Sequence, residues 1–350
     1  MNQEFSFNSN IKINSCKIET LLASIGQEDL LVYSPTSLRL LPNIQINAQK
    51  INSSDFGIQK DKLDSFADGK IFRRIYSVGN GKTTDIAKYL AGKLKIGLSS
   101  MPSALTANVF FTNKSLLKDD RQSVTCDAKT PDEVIIDYSF LTKTPFKYHL
   151  YGLCDVLSIY TALFDWEYSH KINAEPIEPF IFEMAKLTLN QLLANIEVIL
   201  QKDEKSLGII IKLIMMSGYL TNIAGSGRPE SGSEHIIAKH IENKIDIYHA
   251  LSVALGILTA MEIQGSRNPE IVRAIKEFGF IDAIRSNKKG LSVLMNSYSE
   301  IAPRSDRFTI LNNRQIEKEQ INAMITEYFT DNSSIQIISG VGAELKEMPV

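Results

Sequence analysis

The chain has 350 residues, 44% apolar and 22% charged, with 38 Lys and Arg against 40 Asp and Glu. That length exceeds what one core comfortably holds and predicts two domains. A net charge of −2 argues against nucleic acid or an anionic membrane as partner, and three scattered cysteines (Cys16, Cys126, Cys154) exclude a disulfide framework and predict a reducing, cytoplasmic setting. The polar start MNQEFSFNSNIKINS lacks the apolar stretch of a signal peptide. The longest apolar run, Leu207 to Leu220, is interrupted by Lys212 and too short for a bilayer, so it reads as a buried core helix.

In chain order, Asp29 to Tyr33 and Phe72 to Val78 are short apolar runs, the second stopping at glycine. Between Thr84 and Leu94, residues Ile86, Ala87, Leu90, Ala91 and Leu94 fall on one helical face. Leu98 to Pro102 reads as a strand end, Ser123 to Thr125 as a β-branched strand, and Glu133 to Asp137 as a buried strand. Strands alternating with helices predict an α/β domain with a mostly parallel sheet covered on both faces. Beyond about Tyr148 helical patterns take over: Asp155–Trp166, Glu178–Gln201, Leu207–Thr221, Glu234–Ile241, Ile247–Ile263, Pro269–Phe278 and Gln315–Phe329. The expected division is an α/β dinucleotide-binding domain over 1–148 and an all-helical metal- and substrate-binding domain over 149–350. The last twenty or so residues carry no strong pattern and read as a tail.

The run into Gly79-Asn80-Gly81-Lys82-Thr83-Thr84-Asp85 gives strand, tight turn and helix start. Glycine allows close backbone approach to a phosphate, and the helix N-terminus favours an anion. Thr83 or Thr84 is available as a cap. The turn fits neither GxGxxG nor GxxxxGK[ST], so on its own it is also compatible with a plain glycine hinge.

A carboxylate with two imidazoles is a common enzymatic metal site. Of five histidines, His149 and His170 flank one apolar helix and read as packing or surface residues, and His240 points away from His235. Ser231 and Glu234 have capping-box spacing, which places His235 in a first helical turn beside the GSGRPESGS loop. His249 lies fourteen residues on, roughly 21 Å away along an unbroken helix, so the two meet only if the helix breaks. Glu242-Asn243-Lys244-Ile245-Asp246 is polar enough for that break, with Asp246 free to cap the next helix. Asp155 opens the helix after Gly152, where the helix dipole also favours it. Cys154 beside it reads as a small packing residue.

In their order, GNGKTTDIAKYLA, MPSALTAN, GLCDVLSIYTALFDW and GSGRPESGSEH with a later histidine resemble the glycerol dehydrogenase and dehydroquinate synthase superfamily, which includes iron-containing alcohol dehydrogenases. The likeness spans roughly residues 70 to 265. It is greatest to the sn-glycerol-1-phosphate dehydrogenases, whose motifs run GGGKxxDxAK, PTAxSxDG, GxGDxLxxxTAxxDW and SRPASGxEH. It implies a Rossmann-like domain, a helical domain, and NAD or NADP with a divalent metal held between them. Carried over by position, Asp155, His235 and His249 would be metal ligands. Gly79, Asn80, Gly81, Lys82, Asp85, Ser103 and Thr106 would bind cofactor, and Asn108 would join the three ligands at the reacting centre. Three departures from the pattern bear on the site: Asn80 interrupts the triple glycine, Asn108 replaces an acidic residue, and Ala250-Leu251 follows the second histidine in place of Gly-Glu.

The resemblance implies reduction of a ketone in a small phosphorylated substrate, with dihydroxyacetone phosphate giving sn-glycerol 1-phosphate as prototype. The donor set suits Zn²⁺ first, and also Fe²⁺ or Ni²⁺. Arg228 and Lys239 are candidate phosphate anchors by proximity to His235, and Arg228 is equally a brace for its loop. A NAD- and metal-dependent sugar-phosphate cyclase of the dehydroquinate synthase type is the alternative, disfavoured because the basic cluster its phosphate needs is not found. A repurposed non-catalytic relative is the third reading. A homo-oligomer is compatible with the sequence, which selects neither NAD nor NADP around Ile51-Asn52-Ser53.

Overall fold

The computed structural model describes residues 10–13, 17–120 and 122–330. Cys16 and the sequence's patternless end lie outside them. The described residues form eight strands: β1 Asn10–Ile13, β2 Asp29–Tyr33, β3 Gln49–Asn52, β4 Arg74–Gly79, β5 Gly97–Pro102, β6 Lys114–Asp119, β7 Gln122–Asp127 and β8 Glu133–Ile136. Six make a sheet in the order β1-β8-β5-β4-β2-β3, with every pair parallel. The runs Leu30-Leu31-Val32 and Val134-Ile135-Ile136 are buried along their whole length, as strands covered on both faces must be. One face carries Leu30, Val32 and Ile75 beneath helix α1, Gly81–Leu94. The other carries Leu31, Val78 and Met101.

The strand expected at Ser123–Thr125 exists, but outside this sheet: β7 pairs antiparallel with β6 in a separate hairpin. In β6 only Ser115 and Leu117 are buried, the alternation of a strand with one wet face.

After the sheet come helices: α2 Leu153–Leu157, α3 Ile159–Asn173, α4 Pro179–Ala194, α5 Glu204–Ala224, α6 Ser233–Lys244 and α7 His249–Gln264, with four more between Pro269 and Phe329. The run expected over Asp155–Trp166 is divided at Ser158, and that over Glu178–Gln201 stops at Asn195, after which Ile196–Ile199 forms a separate turn. Helix α5 is longer than its apolar run suggested. Its 21 residues are enough by length and composition to cross a membrane, but Ile210, Ile211, Ile214 and Leu220 are buried in the large helical core. That core also takes in Val134 and Ile136 of β8, so sheet and helices share apolar surface.

Candidate metal and nucleotide site

Asp155 sits in α2, His235 is the third residue of α6, and His249 is the first of α7. The chain breaks between Lys244 and His249, and α7 folds back along α6. Gly256 permits the close crossing, since a Cβ there would lie 2.2 Å from the Glu234 carbonyl oxygen. The three side chains thereby converge: His249 Nε2 is 3.4 Å and His235 Nε2 is 3.8 Å from Asp155 Oδ1. One ligand atom from each residue lies within 4.8 Å of the others. Asp155 Oδ1 is buried and makes no hydrogen bond among the described residues. A buried anionic oxygen without a donor is costly, and a cation held between it and the two imidazoles removes that cost.

Two capping expectations are corrected. Ser231 does not cap α6; its hydroxyl meets Arg307, Gly232 occupies the cap position, and Glu234 Oε1 instead accepts from the Gly232 N–H at 2.5 Å. Asp246 does not cap α7, whose N-cap position is Tyr248. In both places a tertiary partner or loop path outcompetes the local signal.

Each imidazole has its own carboxylate on the far nitrogen. His235 Nδ1 is 2.9 Å from Glu234 Oε1, and His249 Nδ1 is 2.7 Å from Glu242 Oε1. Such partners set ring orientation and leave both Nε2 atoms facing Asp155. Burial alone would lower the His235 pKa, but Asp155 and Glu234 hold it up at about 9. Burial likewise opposes charging of His249, which Glu242 and Asp155 raise well above its ordinary value. Burial pushes Asp155 up, and the two imidazoles bring it well below the usual carboxylate range. These are strongly basic donors drawn toward one point.

On the sheet side, Gly79 ends β4 at φ +153, a conformation side chains rarely adopt, and a Cβ there would meet the Thr83 side chain at 2.8 Å. Asn80 is extended (φ −127), so the unusual dihedral belongs to Gly79. Asn80 Oδ1 accepts from Ala104 N–H at 2.7 Å and from Ser103 Oγ at 3.1 Å, joining the ends of β4 and β5. Neither threonine caps α1: Thr83 Oγ1 bonds Ser53 Oγ at 2.8 Å, and Thr84 Oγ1 is buried without a partner among the described residues. The first N–H groups of α1 therefore have no side-chain cap, as an anion site requires. Gly81 opens the helix and Lys82 is exposed beside it. Ser103 Oγ is engaged inside the protein by Ser37 as well as Asn80, and Asp85 is buried next to Lys88. Thr106 is half-buried two residues before Asn108.

Lys88 is fully buried, and its ammonium donates to Val109 O at 2.8 Å, Thr112 Oγ1 at 2.9 Å and Lys114 O. It thus ties α1 to the 3₁₀ turn Asn108–Phe111. Burial brings its pKa down to about 8 against the pull of Asp85. Asn108 Nδ2 donates to Glu230 Oε2 at 2.6 Å and reaches Ser217 Oγ at 3.3 Å.

Both phosphate-anchor candidates are engaged inside the protein. Arg228 donates through Nε and Nη2 to both oxygens of Glu175 and through Nη2 to Phe308 O at 2.8 Å, so it braces its loop, while Nη1 is buried with no partner among the described residues. Lys239 donates to Ser123 O at 2.9 Å, joining α6 to the hairpin. His149 is buried between Leu105 N and Leu141 O, His170 bonds Glu175 O, and His240 bonds Ser297. Cys154 Sγ lies 3.1 Å from Ala250 O and is a packing residue. Residue-by-residue reading missed Glu230, Ser217 and Glu242, whose roles come only from contacts across the fold.

Residues 39–145 match the family model for iron-containing alcohol dehydrogenase. Among solved structures, glycerol dehydrogenase from Schizosaccharomyces pombe superposes with a TM-score of 0.66 at 14% identity, covering 92% of this chain and 88% of that one. Sulfoacetaldehyde reductase from Bifidobacterium kashiwanohense, solved with NAD⁺, gives 0.64 at 13% identity, covering 95% and 100%. Glycerol-1-phosphate dehydrogenase [NAD(P)+] from Methanosarcina acetivorans is 26% identical over 250 residues, 68% of each chain. The enzyme of the same name from Thermoplasma acidophilum is 29% identical over 242 residues, again 68% of each chain. The chain is thus similar to iron-containing alcohol dehydrogenases over residues 39–145 and to glycerol-1-phosphate dehydrogenases over about two thirds of its length, and it shares the fold of glycerol dehydrogenase. Glu230 stands where the SRPASGxEH pattern has Ala, Asn108 stands where PTAxSxDG has Asp, and the two residues touch.

Proposed function

We propose that this chain is a metal-dependent, NAD(P)-linked oxidoreductase that reduces the ketone of a small phosphorylated substrate, of the kind that converts dihydroxyacetone phosphate to sn-glycerol 1-phosphate. The observation that carries it is the convergence of Asp155, His235 and His249 on one point, with a buried carboxylate oxygen that has no donor. Names of the relatives support the same reading.

Asp155 Oδ1 and the two Nε2 atoms would hold the ion, Zn²⁺ first and Fe²⁺ or Ni²⁺ as alternatives for this donor set. Bound there, a divalent metal supplies Lewis acidity toward a carbonyl oxygen. Glu234 and Glu242 keep both rings turned with Nε2 inward, so no reorientation is needed on binding. The uncapped start of α1 and the glycine turn would take the pyrophosphate of NAD or NADP, with Lys82 beside it and Thr106 toward the nicotinamide. Asn80, Ser103 and Asp85 would support that turn from within. Asn108 would orient the substrate at the reacting centre. In this reading residues 1–148 serve the dinucleotide, 149–350 the metal and substrate, and the enzyme works in the cytoplasm.

The test is loss of reduced-nicotinamide absorbance when the metal-loaded protein meets dihydroxyacetone phosphate with NADH or NADPH. Stoichiometric oxidation is expected. Phosphate release without net cofactor turnover would instead establish a cyclase.

A further inference from the structure

Glu230 lies in the loop before α6, between the metal triad and Asn108, and nothing in the reaction described so far uses its carboxylate. One oxygen is fixed: Oε2 accepts from Asn108 Nδ2 at 2.6 Å and from Ser217 Oγ. None of the described residues donates to Oε1, although the side chain is largely enclosed. The main chain at this point is fixed too. Ser158 Oγ lies 2.6 Å from Glu230 O and 2.8 Å from Asp155 O, so one hydroxyl ties Glu230 to the turn that bears Asp155. Asp155 and His235 are near enough to act on its charge.

A carboxylate with one oxygen clamped and the other unclaimed is an acceptor aimed at something. A phosphate would be repelled there, while an O–H would be bound. We infer that Glu230 is a substrate-binding residue whose Oε1 accepts a hydrogen bond from a hydroxyl next to the carbonyl to be reduced. It thereby selects hydroxyketones over the corresponding methyl ketones. The inference rests on the reductase reading for the identity of the site. It also fits the two departures noted above: this corner has its carboxylate on Glu230, and Asn108 is the donor that holds it.

The experiment measures calorimetric binding to the metal-loaded protein with oxidised cofactor, using dihydroxyacetone phosphate and acetol phosphate, which lacks the free hydroxyl. Wild type should bind the hydroxyl compound about tenfold more tightly, the worth of one hydrogen bond to a charged group. Glu230→Ala should abolish that preference while keeping metal content and acetol phosphate affinity. The exchange pair Asn108→Asp with Glu230→Ala should restore it. If Glu230→Ala unfolds, Glu230→Gln keeps the clamp and should still lose most of the preference. Equal weakening of both ligands, unchanged preference in the variants, or no binding of either ligand by wild type overturns the proposal. Intact hydroxyl discrimination with no nicotinamide oxidation overturns the reductase reading and leaves Glu230 as assigned.

Discussion

Gly256→Ala should damage the metal site without touching a ligand. A Cβ at 256 would sit 2.2 Å from the Glu234 carbonyl oxygen and 2.9 Å from its carbon, both backbone atoms that cannot swing aside. Ordinary contact begins at 3.4 Å, so α6 and α7 must separate by about 1.2 Å. His235 adjoins Glu234 on α6, and His249 lies about two turns before Gly256 on α7. Metal sites tolerate only about 0.2 Å in ligand distance, so the displacement reaches the triad several times over. Overpacking of this kind costs about 1–3 kcal/mol. The expected result is a lower unfolding temperature and metal affinity at least about tenfold weaker, read by metal content after equilibration with a competing chelator. Gly26→Ala, whose Cβ meets nothing within 4 Å, is the silent control. Wild-type metal content and unfolding temperature in Gly256→Ala would refute the account of the helix crossing.

His235→Ala should abolish metal retention, and full occupancy in that variant would remove the ligand assignment. Glu242→Gln should leave the fold intact and weaken metal binding by about 10–100-fold, because His249 loses the carboxylate that sets its ring; an unchanged affinity by chelator competition would count against that role. Asp64 gives the pH dependence. Burial pushes it up, but Lys93, Tyr89 and Lys60 hold it down at about 2. Its stabilisation is therefore complete above the ordinary carboxylate pKa of about 3.9 and fades as pH falls toward 2. Asp64→Asn should lower the unfolding temperature at pH 7 and progressively less below pH 4, and equal deficits throughout would exclude the ionised carboxylate as the cause.

Strands β2 and β8 were legible from their runs Leu30-Leu31-Val32 and Val134-Ile135-Ile136, β4 and β5 from apolar residues at their ends despite the buried pair Ser77–Ser100, and α1 because its buried residues keep helical spacing. Strands β1 and β3 left little trace: Asn10–Ile13 and Gln49–Asn52 are edge strands, and Gln49, Lys50 and Asn52 are polar. The hairpin strand was visible but not its location, since pairing partners are not written in a single strand. The convergence of Asp155, His235 and His249 followed from motif resemblance plus the requirement for a break, and the break occurs. Cap assignments went wrong where Arg307 and Glu234 offered better partners than the local pattern. Glu230 and Asn108 are 122 positions apart, and no spacing rule links a loop glutamate to a distant turn.

Lys88 has a consequence for how such a site can change. Its charge is stranded in the interior if the turn bearing Asn108 pulls away, so that turn cannot loosen without a severe penalty. The turn Asn108–Phe111 is thus pinned to the helix that carries Lys88. Insertions between Pro102 and Lys114 should therefore be poorly tolerated, while exchanges of single exposed side chains there should leave the turn in place.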